Sequence, residues 1–390
     1  MISQQNLFGL PEDLHYLNCA YMAPVSDSVA AAAHQAIARL RVPSTLQPTD
    51  FFEQSSRVRH LFAELIGASE PNRIAIVPSV SYAMATLARN TPVRAGESVV
   101  ILQQQFPSNV YSWKRVCETV GADLRAVPAP VATNTPRGAA WNRALLDAID
   151  ATTAVVTIPE LHWTDGTRFD LEKIGERARE CGARFVLDGT QSVGALPFTI
   201  ARAQPDAVVC AGYKWLMGPY SIGLAYFGPV YDNGIPLEEN WITRLGSEDF
   251  SGLVRSSEEY HPGAIRYDVG ERSNFVLLPM LEAGLAQVTG WGQDAVQDHC
   301  RQITAEAVEE LQRLGCWVEA EDHRAAHLFG VRLPSGFDVD MIQQALAERR
   351  VSVSVRGSAI RVSPHVYNTS GDLAALVAAV RAVIDPSTDA

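Results

Sequence analysis

Lysine is almost absent from this chain of 390 residues: it occurs only at Lys114, Lys173 and Lys214, and every other basic residue is arginine. A search for an amine that does chemistry is therefore confined to three positions. Cysteine is sparse too. Cys19, Cys117, Cys181, Cys210, Cys300 and Cys316 are scattered with no C-x-x-C pair, which argues against a zinc framework and a disulfide scaffold alike. No apolar run is long enough to span a bilayer. The opening segment MISQQNLFGLPEDLHYLN has neither the basic stretch nor the apolar stretch of a secretory signal, so a cytoplasmic protein without a membrane partner is expected. Positive charge is in deficit, with a net charge of −12, which argues against a nucleic-acid partner held through its phosphates. There is no G-x-S-x-G, no Walker A and no G-x-G-x-x-G. His323 and His327 have i, i+4 spacing, but no Glu follows His323 and a strand pattern begins there, so no metal site is expected. Asn368-Thr-Ser is a glycosylation sequon that has no use without secretion.

What is present is an apolar content of 47%, ample for a large core. From about residue 70 to 227, short apolar runs alternate with helical patterns. Ile74–Val77, Ser98–Leu102, Leu124–Val127, Ala154–Ile158, Arg184–Leu187 and Ala207–Cys210 read as strands, several of them near-continuously apolar as in a sheet buried on both faces. The stretch Asp170–Cys181 carries Leu171, Ile174 and Ala178 at helical spacing. This alternation predicts a doubly wound α/β domain with ligand groups at the carboxyl ends of its strands. The second half changes character. Helical patterns run from about Val276 to Gly290 and Ala295 to Leu314, and strand patterns cover 316–320 and 327–333. A helix over Val339–Arg349, strands Val351–Val355 and Ala359–Val362, and a last helix striped by Leu373, Leu376, Val377, Val380 and Ile384 complete an α+β module. The stretch from Pro229 to Gly270 is the least regular, and long loops in compact domains are often functional.

Of the three lysines, Lys114 and Lys173 sit on solvated helical faces. Lys214 follows the strand Ala207-Val-Val-Cys-Ala within Gly212-Tyr-Lys-Trp-Leu-Met-Gly-Pro, where partial desolvation would lower its pKa and free the amine for Schiff-base chemistry. Upstream, Phe185-Val-Leu-Asp188-Gly-Thr-Gln191 ends a strand in an acid placed to hold a proton on a heterocyclic nitrogen. Further upstream, Pro78-Ser79-Val80-Ser81 opens a helix whose free amides and hydroxyl suit a phosphate. A Schiff-base lysine, an acid for a pyridinium nitrogen and a phosphate cup are the parts of a pyridoxal 5′-phosphate site.

Their order and spacing resemble the aminotransferase class V family of fold-type I pyridoxal-phosphate enzymes, which includes kynureninases, an isopenicillin N epimerase and cysteine desulfurases. The resemblance runs from Tyr16-Leu-Asn-Cys-Ala-Tyr to Ile360-Arg-Val-Ser-Pro-His-Val-Tyr-Asn-Thr and centres on Leu187-Asp-Gly-Thr-Gln and Gly212-Tyr-Lys-Trp. It implies a large, doubly wound, mixed or parallel sheet domain over residues 16–262. Residues 1–15 and 263–390 would form a smaller α+β domain with a connecting helix.

By the same resemblance Lys214 binds the cofactor and moves the Cα proton, Asp188 pairs with the ring nitrogen, and Gln191 donates to the ring oxygen. Val80 and Ser81 hold the phosphate with Tyr213 reaching it from the other side, and Phe106 stacks on the ring. Arg361 takes the substrate α-carboxylate in a bidentate fork. Asn18, Tyr21, His162, Trp163, Trp241 and Arg244 are pocket candidates, and Ser273 is the candidate phosphate contact supplied across a homodimer interface. Desulfurases usually carry histidine where Phe106 stands, and a mobile cysteine shortly before the carboxylate-binding arginine. The segment from Arg350 to Arg361 has no cysteine, which places the chain nearer the kynureninase and epimerase side. The implied activity is amino-group transfer from an α-amino acid, with a β- or γ-lyase of the kynureninase or C–S kind as the alternative and an epimerase or decarboxylase third. A non-catalytic scaffold is the reading of another class, and the intact Lys214, Asp188, Gln191 and Arg361 set argues against it.

Overall fold

Runs of Val, Ile, Leu and Ala bounded by polar turns become the strands of the computed structural model, which describes residues 3–130, 136–255, 257–337 and 339–385. The outermost residues of the expected small domain, 1–2 and 386–390, lie outside that description. After a short β1 (His15–Tyr16), seven strands form one sheet: β2 (Ile74–Val77), β3 (Ser98–Leu102), β4 (Asp123–Val127), β5 (Thr153–Pro159), β6 (Arg184–Asp188), β7 (Ala207–Ala211) and β8 (Gly223–Phe227). Their spatial order is β2-β8-β7-β6-β5-β3-β4, and only β8 runs against the other six. Alternate residues of each strand face two separate cores. Ile76, Val100, Ile158, Leu187 and Val208 pack with Phe62, Trp141, Leu145 and Leu281 on one side. Val77, Ile101, Val155, Val186 and Val209 pack with Met84, Leu87 and Trp113 on the other. Burial on both faces is why these strands read as continuous apolar runs.

The reversed strand β8 was absent from the sequence expectation. It follows β7 after a loop with no helix between them, and an antiparallel return needs no crossover. The alternation of strand and helix therefore carries no sign of it.

Beyond the sheet, helices Leu277–Trp291 and Gln293–Arg313 lead to β9 (Trp317–Val318) and β10 (Phe329–Arg332). The helix Val339–Glu348, β11 (Val351–Ser352), β12 (Ser354–Arg356), β13 (Ala359–Val362) and the helix Ser370–Ile384 follow. Four of these strands form a sheet in the order β12-β13-β10-β9. The run expected as one strand, Val351–Val355, is divided at Val353. Its first part pairs in parallel with β1, and its second pairs antiparallel with β13. Two different partners, distant in sequence, divide one local pattern.

The two sheets meet at a buried polar joint. The His327 Nε2–H donates to the Gln191 carbonyl at 2.9 Å, while its Nδ1 accepts from Gln297 Nε2 at 2.7 Å. Gln297 also donates to the Ala195 carbonyl and accepts from the Ala326 N–H. Both ring nitrogens of His327 are thus engaged, and only the neutral imidazole satisfies both partners.

Burial pushes His327 down to about 4, and burial does the same to His162. Both groups bind fewer protons folded than unfolded, so stability is present above their ordinary value of 6.5 and is lost as the pH falls from there toward about 4. Each should cost about 2 kcal/mol at pH 5 relative to pH 7. Urea unfolding at the two pH values checks this, and His327→Gln should remove about half of the difference, the His162 share remaining.

Candidate active site

The loops that leave the carboxyl ends of β2, β3, β5, β6 and β7 enclose a cavity of about 270 Å³. Open sheets bind their ligands at this edge. β7 stops at Ala211, and a loop then folds back into β8. The Gly212 N–H donates to the Ile222 carbonyl, and the Gly218 N–H to the Gly212 carbonyl, each at 2.9 Å. Gly194 supports the loop from outside with φ +104°, and a Cβ there would stand 2.4 Å from the Trp215 carbonyl oxygen. Only glycine meets both demands.

This loop leaves Lys214 6% exposed. Nζ has no hydrogen-bond or ion-pair partner among the described residues and lies 5.5 Å from the Phe106 ring centre and 5.6 Å from that of Tyr213. Burial lowers the amine to about 8, with the Arg361 charge adding to the effect and Asp188 opposing it. Asp188 closes β6, and its register partner on β7 is Val209. Its carboxylate accepts the Thr190 N–H at 3.1 Å, and no cation among the described residues is hydrogen-bonded to it. Burial raises its pKa, against the contacts from Thr190 and the charge of Lys214.

The helix Val80–Asn90 begins at the end of β2. Ser79 caps it by accepting the Tyr82 N–H at 3.1 Å, and its hydroxyl lies 2.9 Å from that of Ser81. The first-turn amides of Val80 and Ser81 have no intrahelical acceptor and open on the cavity. Gln191 also lines the cavity. Its Oε1 accepts from Trp215 Nε1 at 3.0 Å, and its Nε2 donates to the Ala20 carbonyl at 3.2 Å.

Arg361 stands beside the cavity, joined to it through Trp163, which is a lining residue. Nη1 donates to the Trp163 carbonyl at 3.0 Å and Nη2 to Ser354 Oγ at 3.4 Å, while Nε is buried without an acceptor. Ser354 in turn donates to Asn18 Oδ1 at 2.8 Å, so Asn18 acts on the guanidinium through a neighbour. Burial lowers Arg361 to about 10, with Arg356 contributing.

Val80, Ser81, Phe106, Trp163, Asp188, Gln191, Tyr213 and Lys214 therefore share one cavity wall. Other candidates lie elsewhere. His162 does not line the cavity: Nδ1 lies 2.7 Å from Thr164 Oγ1, Nε2 lies 3.3 Å from the Gln103 carbonyl, and the ring centre is 4.8 Å from that of Trp141. Trp241 packs against Phe51, Phe52 and Phe250. Arg244 pairs with Glu239, and Tyr21 is exposed. The Ser273 hydroxyl donates to the Phe51 carbonyl, away from the chain's own cavity. Residues not singled out from sequence are Thr190, Tyr220, Ser354 and Arg356. Asp188-Gly-Thr190 is an acidic-turn pattern and could have been found. Ser354 and Arg356 needed the hairpin register.

A buried amine flanked by two aromatic rings, a buried carboxylate with no cation bonded to it among the described residues and a row of free amides fit one group. An aldehyde would meet the amine, a ring nitrogen the acid and a phosphate the helix start. Fold and site together define a fold-type I pyridoxal-phosphate enzyme. The chain belongs to the aminotransferase class-V family, whose model matches residues 44–383, and pyridoxal 5′-phosphate is its cofactor. It is 24% identical to an uncharacterized aminotransferase, YcbU, of Bacillus subtilis over 82% of this chain and 81% of that one. It is 25% identical to a cysteine desulfurase of Salmonella dublin over 80% and 76%. Among solved structures, an apo cysteine desulfurase from Thermococcus onnurineus superposes with a TM-score of 0.83 at 17% identity, covering 99% of both chains. A mutant of C-DES with glycine covalently linked to its PLP cofactor gives 0.83 at 18%, covering 98% and 99%. No helix among the described residues is long and apolar enough to cross a membrane.

The depressed amine generates a prediction. The rate at which cofactor-free protein captures added pyridoxal phosphate should rise with pH through a midpoint near 8, where Lys214 loses its proton. Arg361→Met should move that midpoint upward, because a neighbouring positive charge is gone. Stopped-flow absorbance across the pH range reads both, and Lys214→Ala should show no capture band.

Proposed function

We propose that the chain takes up an α-amino acid on pyridoxal phosphate and transfers its amino group. The observation that carries this reading is the cavity's inventory of proton carriers. Among the described residues lining it, Lys214, Asp188, Tyr213 and Tyr220 are ionisable, and no histidine or cysteine is present. Bound pyridoxal phosphate supplies an electron sink that weakens the bonds at the substrate's Cα.

Asp188 would hold the proton on the ring nitrogen, the amides of Val80 and Ser81 with the Ser81 hydroxyl would hold the phosphate, and Phe106 would cover the ring. Gln191 would reach the ring oxygen with its remaining N–H. Arg361 would bind the α-carboxylate, held in place by Ser354 and the Trp163 carbonyl. Lys214 Nζ, freed of its proton above about pH 8, would accept the Cα proton and pass it, on the same face, to the carbon that was the cofactor's aldehyde. Amino-group transfer asks for one base that moves a proton between two carbons on one face, with water then releasing the keto acid while the nitrogen stays on the cofactor. Epimerisation needs a second carrier on the opposite face. Sulfur relay needs a reactive thiol, and burial pushes the Cys19 thiol near Lys214 up to about 12.

Elimination of a side-chain group is the second reading. Tyr213, with its ring centre 5.6 Å from Nζ, is the phenol that could protonate a departing group.

A panel of amino acids added to the holoenzyme tests the proposal. One of them should bleach the visible band of the lysine-bound cofactor to the amine form, and a keto acid should restore it. Lys214→Ala should lower turnover by about a thousandfold or more. A band that persists while ammonia and a keto acid accumulate would replace transfer by elimination.

A further inference from the structure

Buried arginines elsewhere in this chain have acids beside them. Arg59 and Arg272 share Asp268, and Arg137 meets Asp165. The pair next to the catalytic amine has none. The register of the hairpin β12–β13 sets Ser354 opposite Arg361 and Arg356 opposite Ala359. Directly opposed residues, and residues two apart on one strand, share a face. Ser354, Arg356 and Arg361 are therefore on one face, with the two arginines as diagonal neighbours.

Both reach Trp163. Arg361 Nη1 donates to its carbonyl at 3.0 Å, and the guanidinium carbon of Arg356 lies 5.5 Å from its ring centre. Arg356 Nη1 donates to the Val355 carbonyl at 2.8 Å, and its Nε is buried without an acceptor, as is that of Arg361. Neither arginine has an ion pair among the described residues. Like charges held this close repel, and the half-buried setting screens them poorly. The charge of Arg356 acts to lower both Arg361 and Lys214. A substrate with one carboxylate would answer only one guanidinium.

We propose that the site takes an α-amino acid carrying a second anionic group on its side chain, with Arg361 on the α-carboxylate and Arg356 on the distal anion against the Trp163 ring. This rests on the amino-acid reading above and adds the substrate class. The spacer between the two anions would lie along the indole, and the planar forks of both arginines suit carboxylate, sulfinate or phosphate oxygens.

The test titrates the visible band of the holoenzyme with glutamate, aspartate, cysteine sulfinate and O-phosphoserine, beside the neutral isosteres glutamine and asparagine. At least one acidic amino acid should reach half-saturation at a concentration about tenfold or more below the neutral isosteres, and the gap should narrow with salt. Which acid leads tells carboxylate, sulfinate and phosphate apart. Arg356→Gln should bring the ratio to within about twofold of one, and Arg356→Lys should keep part of it. Equal half-saturation of acidic and neutral amino acids in the wild type overturns the proposal. So does an unaltered ratio in an Arg356→Gln protein that retains the cofactor band.

The band reports binding whatever reaction follows. Acidic preference accompanied by ammonia release in place of reversible transfer would therefore overturn the transfer reading and support this one. Calorimetry on cofactor-free protein supplies a readout independent of turnover. Glutarate should bind more tightly than butyrate, and Arg356→Gln should remove the difference; no preference in the wild type overturns the proposal.

Discussion

The arrangement depends on one costly feature, an amine buried at the end of a strand with no carboxylate or carbonyl bound to it among the described residues. An unpaired ammonium in an apolar setting is unfavourable, and the protein resolves this by letting Lys214 lose its proton more easily. The surrounding structure then preserves the isolation. Phe106 and Tyr213 present ring faces to Nζ, while Asp188 on the next strand accepts only from Thr190. The positive charge of Arg361 reinforces the effect of burial. An acid bonded to Nζ would hold its proton and remove the base that the proposed reaction uses.

The loop carrying that amine is held by contacts outside the cavity. Gly194 lets the backbone pass against the Trp215 carbonyl, and the Trp215 indole is hydrogen-bonded to Gln191. His327 and Gln297 fasten the same segment to the second sheet, whose hairpin carries Arg361. Lys214 and Arg361 thus belong to one packed frame, although they lie on different sheets. In the proposed reaction the substrate's carboxylate and the lysine must be placed together, and the polar joint would set their relation.

Family and cofactor follow from this frame, whereas the reaction depends on what else lines the cavity. Proteins related to this chain carry the names aminotransferase and cysteine desulfurase. The absence of cysteine between Arg350 and Arg361 is a property of the chain itself. It is the feature on which the proposal sets amino-group transfer ahead of sulfur relay. Reaction type therefore rests on a few wall residues, while the fold tolerates several chemistries.

Much of this was legible in the sequence. Continuous apolar runs marked six strands of the large sheet, because burial on both faces leaves no alternation to disguise them. With three lysines in the chain, the one after a buried strand stood out, and Asp188 and the Ser79–Ser81 helix start lay within recognisable local patterns. Local pattern failed wherever two distant segments had to meet. β8 was hidden because an antiparallel return needs no helix, and Val351–Val355 was divided because β1 and β13 claimed its two ends. His162 follows the strand that feeds the site, yet its ring turns to Trp141. Arg356 became visible only once the hairpin register placed it on the face of Arg361. The sequence by itself determined which groups can react, since side-chain chemistry and strand burial are local properties. Only the tertiary structure decided which charges remain unpaired, since pairing depends on partners brought together from distant parts of the chain.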